Sequence, residues 1–167
     1  MPDRVLVLGV GNLLLQDEGF GPHMVAFLQN HYDFPDYVQV VDGGTAGLEL
    51  LTVIEKCDKL LLIDAVKTDS IPGSAVKIDG EDLPVFFERR ISPHQLGLSE
   101  VLAMADANGD RPAEIVLFGI VPVGLEISMD LTPEVEAKVE EVASSVIAQL
   151  TSWGVEVKGK GGQPARI

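Results

Sequence analysis

The sequence predicts an α/β fold, a three-layer αβα sandwich on a mostly parallel, twisted sheet of about five strands with helices on both faces. Three observations carry that expectation. Apolar runs such as Val5-Leu6-Val7-Leu8 lack the alternation of a half-exposed strand and read as strands covered on both faces. Between them lie segments whose apolar residues recur at spacings of three and four, as on a buried helix face. The two patterns alternate along the chain, with no internal repeat and no interdomain linker.

The first strand is expected over Arg4–Leu8 and the first helix over Pro22–Tyr32, with Met24, Phe27, Leu28 and Tyr32 on one face. A second strand, Val38–Val41, runs into Asp42-Gly43-Gly44-Thr45, and a helix over Leu48–Cys57 follows. The third strand, Lys59–Ile63, ends at Asp64. Ile71-Pro72-Gly73 turns into Ser74–Ile78, a candidate edge or antiparallel strand. Leu83–Phe87 reads as a single helical turn. Ser92-Pro93-His94-Gln95 reads as a helix start, with Ser as N-cap and Gln in the capping-box position. Glu114–Ile120 is the fifth strand. Thr132-Pro133 opens a last helix whose Val135, Val139, Val142, Val146, Ile147 and Leu150 form one stripe, closed by Gly154. A single domain is expected over residues 1–157, with 158–167 a flexible, glycine-rich and basic tail.

Bulk properties narrow the function. The 167 residues suffice for one core and are short for two. With 26 acids against 12 bases the net charge is −14, which argues against a nucleic-acid partner and favours a metal cation or a basic peptide. No apolar run is long enough to span a membrane and no signal-like leader precedes the first strand. The single cysteine, Cys57, leaves no partner for an internal disulfide. A cytoplasmic protein is expected.

The chain is organised around Gly9-Val10-Gly11-Asn12-Leu13-Leu14-Leu15-Gln16-Asp17-Glu18-Gly19-Phe20-Gly21-Pro22. This loop carries acids from a strand end to a helix start, the place where ligands bind in an open parallel sheet. Glu18 follows the first strand, Asp42 ends the second and Asp64 ends the third. Each alone reads as an ordinary helix-capping acid. Gathered on one sheet edge, three carboxylates repel one another unless a cation or proton compensates, so together they point to a metal site or to perturbed acids. His94, at the second position of its helix, is the fourth party: the helix dipole favours neutral imidazole, the form that ligates metal. Two carboxylates and an imidazole suit zinc, nickel or iron. Gly9-Val10-Gly11 begins a dinucleotide fingerprint, but Leu14 stands where the third glycine belongs. No phosphate-binding P-loop, HExxH helix or GxSxG elbow occurs.

Four motifs in order resemble the [NiFe] hydrogenase maturation endopeptidases. They are Gly9-Val10-Gly11-Asn12 with Asp17-Glu18-Gly19, Asp42-Gly43-Gly44-Thr45-Ala46-Gly47, Asp64-Ala65, and Ser92-Pro93-His94-Gln95-Leu96-Gly97-Leu98. The resemblance runs from the first strand through the Thr132-Pro133 helix. It implies a cytoplasmic protease that trims the C-terminal extension from a hydrogenase large-subunit precursor after nickel insertion; a monomer is expected. It also implies that Glu18, Asp64 and His94 contact a metal, with Asp42 positioning substrate. The metal so implied is nickel supplied by the precursor, for which zinc or cadmium could stand in. Without a serine or cysteine nucleophile, attack by water is expected, with either metal polarisation of the carbonyl or a carboxylate base. A non-enzymatic nickel- or nucleotide-binding module in the same crevice is the alternative.

Overall fold

A computed structural model describes residues 2–89 and 93–160, with the side chains of 88, 89 and 93–96 left out. The strands and helices in chain order are β1 (Val5–Val10), α1 (Phe20–His31), β2 (Tyr32–Asp33), β3 (Val38–Gly44), α2 (Leu51–Ile54), β4 (Lys59–Ala65), β5 (Ala75–Asp79), α3 (Leu83–Arg89), α4 (Pro93–Ala107), β6 (Glu114–Ile120), α5 (Pro133–Glu136), α6 (Val139–Ser152) and β7 (Lys158–Gly159). Five strands form one sheet in the order β3-β1-β4-β6-β5. The β3-β1, β1-β4 and β4-β6 pairings are parallel, and β5 runs antiparallel on the edge.

The continuous apolar runs resolve into two alternating sets. Val5, Val7, Leu61 and Ile63 join α1, α5 and α6 in one core, whereas Leu6, Leu8, Leu60 and Leu62 join α2, α3 and α4 in the other. Period-two geometry sends neighbouring side chains to opposite faces, so a sheet covered on both sides needs apolar residues at every position. Each such leucine, with zero exposure at Leu8, Leu61 and Leu62, contributes about 1.5–3 kcal/mol through removal of apolar surface from water. The three-layer αβα architecture is as the sequence predicts.

The elements depart from expectation where distant contacts compete with local pattern. The helix expected over Leu48–Cys57 is a 3-10 turn, Leu48–Leu50, followed by the one-turn α2. The Ile54 carbonyl accepts from both the Cys57 amide and its thiol, and the Asp58 amide turns away to the Arg4 carbonyl. The helix is thereby ended in time for β4. The last helix is two pieces, α5 and α6, because the Lys138 amide bonds the carbonyl three residues back, at Val135. It closes as predicted: Gly154 adopts φ 85° and the Val155 amide reaches the Leu150 carbonyl. Leu83–Phe87, read as a single turn, belongs to the longer α3. The first helix begins at Phe20 rather than Pro22; Pro22 still lies in the first turn, where amides lack intrahelical partners.

The expected free tail begins instead as structure. Lys158–Gly159 pairs antiparallel with Tyr32–Asp33, the Lys160 amide donates to the His31 carbonyl at 2.9 Å, and its ammonium meets Asp33 at 2.7 Å. Residues 161–167, and the Ser92 N-cap, lie outside the described residues. Among the described residues no helix is long and apolar enough to cross a membrane.

Candidate active site

β1 is the middle of a topological switch. The chain leaves it through α1, packed on one face, to reach β3; it then crosses through α2, packed on the other face, to reach β4. The two crossovers part above the C-terminal ends of β1, β3 and β4 and leave a crevice there. Asp42 stands level with Gly9 on one side, and Ile63, just before Asp64, stands level with Gly9 on the other. The carboxylates predicted at strand ends thus flank the end of β1 from both neighbouring strands.

The Gly9–Pro22 loop is shaped by two close approaches. Gly11 has φ 141°, and a Cβ there would overlap the Glu18 carbonyl oxygen. A Cβ on Gly21 would overlap the backbone of Val10 and the Ile63 carbonyl, so only glycine lets α1 begin directly over β1 and β4. Between these points the Asn12 side chain accepts from the Leu14 amide at 2.9 Å, an Asx-type turn. Gln16 follows at φ 52°, a left-handed conformation that costs a non-glycine residue about 1–2 kcal/mol. It opens the 3-10 turn Gln16–Gly19, which packs against β4 and carries Asp17 and Glu18.

The adjacent acids have different fates. Asp17 has no exposed surface. Its carboxylate accepts from the amides of Val123 and Gly124, both at 2.9 Å, from the Thr132 amide at 2.8 Å, and from the Thr132 hydroxyl. Thr132 therefore spends its hydroxyl on Asp17 and does not cap α5 with it. Sequence reasoning assigned Asp17 no separate role. The available signal was its pairing with Glu18, since consecutive residues of one turn cannot point into the same site.

Glu18 is half-buried on the turn beside β4. Asp64 is wholly buried at the penultimate position of β4. Neither residue is without an interaction partner. Asp42 is exposed at the end of β3, and one of its oxygens accepts from the Gly44 amide at 2.9 Å. It borders a shallow cavity of about 150 Å³ shared with Gly11, Asn12, Leu13, Pro22 and Thr45. His94 is the second residue of α4, and its side chain lies outside the described set. Its helix nevertheless enters over the right loop: it packs on the 3-10 turn Leu48–Leu50, and one turn past His94 a Cβ added to Gly97 would lie 3.7 Å from the Gly47 Cα, three residues beyond the β3 end. Among the described residues, a set without the His94 imidazole, no three His, Cys, Asp or Glu side chains are grouped to hold a metal ion.

The remaining histidines and the cysteine stand apart from these acids. The His23 ring bonds the Met129 carbonyl at 3.0 Å, and His31 bonds the Phe27 carbonyl and stacks on its ring. Cys57 lies just before β4, at the N-terminal end of the strands, opposite the end that carries Asp42 and Asp64. Burial, followed by the neighbouring Asp58 charge, pushes its thiol up to about 11. It is a protonated packing residue near neutral pH, not a nucleophile.

Comparison with known proteins is consistent along the chain. The hydrogenase maturation protease family matches residues 22–149. The Hydrogenase 2 maturation protease of Escherichia coli K12 is 45% identical over 154 residues, covering 92% of this chain and 94% of that protein. The hydrogenase expression/formation protein HupD of Rhodobacter capsulatus is 38% identical over 158 residues, covering 93% of this chain and 75% of its own. The solved structure of the hydrogenase maturating endopeptidase HybD from E. coli superposes with a TM-score of 0.91 at 43% identity, covering 94% of this chain and 98% of that one.

Proposed function

This chain belongs to the hydrogenase maturation protease family, and we propose that it removes the C-terminal extension of a nickel-loaded [NiFe] hydrogenase large-subunit precursor, recognising the bound nickel through Glu18, Asp64 and His94. As a member of that family it is a peptidase acting on hydrogenase subunit precursors. The observation that supports the finer reading is the convergence of elements at the switch point. The turn bearing Glu18 packs on β4, which carries Asp64, and α4, which begins beside His94, packs on the loop after β3.

In this reading nickel arrives as part of the substrate. Two carboxylates and an imidazole form a mixed oxygen and nitrogen donor set suited to it, and zinc or cadmium would occupy the same donors. Because Asp64 is wholly buried, the ion reaches it only when the groups covering it move aside. Grip on the nickel places the scissile peptide over the crevice, and Asp42, exposed at its rim, orients the chain. Water then adds to the scissile carbonyl. A carboxylate takes the water proton and passes it to the departing amide nitrogen, so that one carboxyl and one amine form. We place this reaction in the cytoplasm, carried out by a monomer.

The test is a cleavage assay on nickel-loaded and nickel-free precursor, with Glu18→Gln, Asp64→Asn and His94→Ala. Each substitution is expected to abolish processing of the loaded form, and the wild-type enzyme to leave the nickel-free form uncut. Near-normal processing by the three variants discards the site assignment.

A further inference from the structure

We propose that the Asn12 side chain binds the precursor, donating from its NH2 group to a main-chain carbonyl oxygen beside the scissile bond. This rests on the endopeptidase reading above and deepens it: the cavity that Asp42 borders becomes a subsite for peptide backbone.

A single contact fixes which way the side-chain amide is turned. The Leu14 amide, which can only donate, meets it at 2.9 Å, so the atom facing the backbone is the oxygen Oδ1. The NH2 end keeps two donors, and neither bonds a group among the described residues. Asn12 is half-buried and lines the cavity of about 150 Å³ together with Gly11, Asp42 and Thr45. Asp42 keeps a second oxygen beyond the one that accepts from the Gly44 amide, and Thr45 adds a hydroxyl on an exposed residue.

This chemistry identifies the ligand. Donors and an acceptor side by side match a peptide main chain, in which C=O and N–H groups alternate. A cationic side chain would satisfy Asp42 but has no atom to accept from Asn12. Small-molecule and cofactor sites run to about 300–1,000 Å³. At about 150 Å³ the cavity admits a peptide unit and not a nucleotide.

The backbone ties this donor to the proposed catalytic side chain. The Leu15 amide donates to the Asn12 carbonyl and the Glu18 amide to the Leu15 carbonyl, both at 3.1 Å. Gly11, just before Asn12, lies so close to the Glu18 carbonyl that no Cβ fits between them. A carbonyl held by Asn12 is therefore set in register against Glu18. Because a flanking carbonyl does not change during the reaction, the bond is made equally to substrate and transition state and acts on KM.

The experiment is steady-state cleavage of the purified nickel-loaded large-subunit precursor, with Tm measured for each variant. Asn12→Asp keeps the oxygen that accepts from the Leu14 amide and exchanges the NH2 donors for a second acceptor. Asn12→Ser offers that amide a hydroxyl oxygen, carries no charge and is too short to serve the cavity. Both are expected to keep a near-wild-type Tm and to raise KM about three- to tenfold with kcat within about twofold, the loss of one hydrogen bond. Asn12→Ala, which loses the turn as well, is expected to show the same rise in KM with a lower Tm. Wild-type KM for Asn12→Asp and Asn12→Ser, with a rise only in Asn12→Ala, overturns the proposal, since the turn alone then matters. A rise confined to Asn12→Asp also overturns it, as charge repulsion rather than loss of a donor, and so does a fall in kcat with KM unchanged. Glu18→Gln in the same assay separates the two readings. Loss of cleavage there, beside wild-type KM in the Asn12 variants, removes only the Asn12 assignment, whereas normal cleavage by Glu18→Gln discards the active site on which it rests.

Discussion

The Asp17 carboxylate takes both the amide and the hydroxyl of Thr132, across 115 residues of chain, and neither Asp17 nor Thr132 has more than marginal solvent exposure. One of its oxygens, Oδ2, also accepts from the amides of Val123 and Gly124. One side chain thus joins the loop after β1 to the loop after β6, and the strands between them gain a common rim.

Asp17→Ala leaves the buried Thr132 donors and the part-buried Val123 and Gly124 amides without their acceptor. A hydrogen bond to a charged group is worth about 1.5–3 kcal/mol, and orphaned buried donors add their own desolvation cost. The expected loss is about 3 kcal/mol or more, a fall in Tm of about 6–12 °C for a chain of this size. Asp17→Asn keeps one acceptor oxygen but sets an NH2 group against N–H donors, so it too destabilises. Denaturant unfolding followed by circular dichroism checks both.

Gly21→Ala and Gly47→Ala form a matched pair. The first puts a methyl group into the Val10 backbone and the Ile63 carbonyl, whereas the second meets nothing within 4 Å. Gly21→Ala is expected to cost more than about 2 kcal/mol, as overpacking against backbone that cannot move aside. Gly47→Ala is expected to stay within about 0.5 kcal/mol of wild type. Thermal unfolding of the two proteins measures the contrast.

Cys57 predicts a loss of stability in alkali. Its thiol is pushed up to about 11 in the folded chain, first by burial and then by Asp58, from an ordinary value of 9.0. Between pH 9 and 11 the folded state holds a proton that the unfolded state has released, so stability falls as pH rises. Below pH 9 both states are protonated and the contribution is fully present. Unfolding free energies measured from pH 8 to 11 are expected to decline more steeply for wild type than for Cys57→Ala. At pH 8 a thiol reagent should label Cys57 slowly until denaturant is added.

The Lys160–Asp33 pair is short at 2.7 Å, but its side chains are 52% and 54% exposed. Exposed ion pairs contribute about 0–1 kcal/mol. Lys160→Ala is expected to lower stability by less than about 1 kcal/mol, with the difference vanishing at high salt. A denaturant series at low and high ionic strength tests this.

What the sequence determined by itself is whatever neighbours along the chain can decide. Unbroken apolar runs demand cover on both faces of a sheet, so four parallel strands and an antiparallel edge were legible, with Glu114–Ile120 bounded as found. Their order along the chain also placed Asp42 and Asp64 at strand ends. Tertiary structure decided what depends on partners far away. The short β7 exists because β2 offers an edge 126 residues earlier, as the Tyr32–Gly159 and Asp33–Lys158 pairings show. The helix expected over Leu48–Cys57 stops short because Arg4 takes the next amide. Asp17 and Glu18 look alike in sequence, yet one is a buried clamp and the other is half-buried on the turn against β4. Periodicity reports which face of an element is apolar, but a hydrogen bond between residues 17 and 132 leaves no trace in the pattern of either segment.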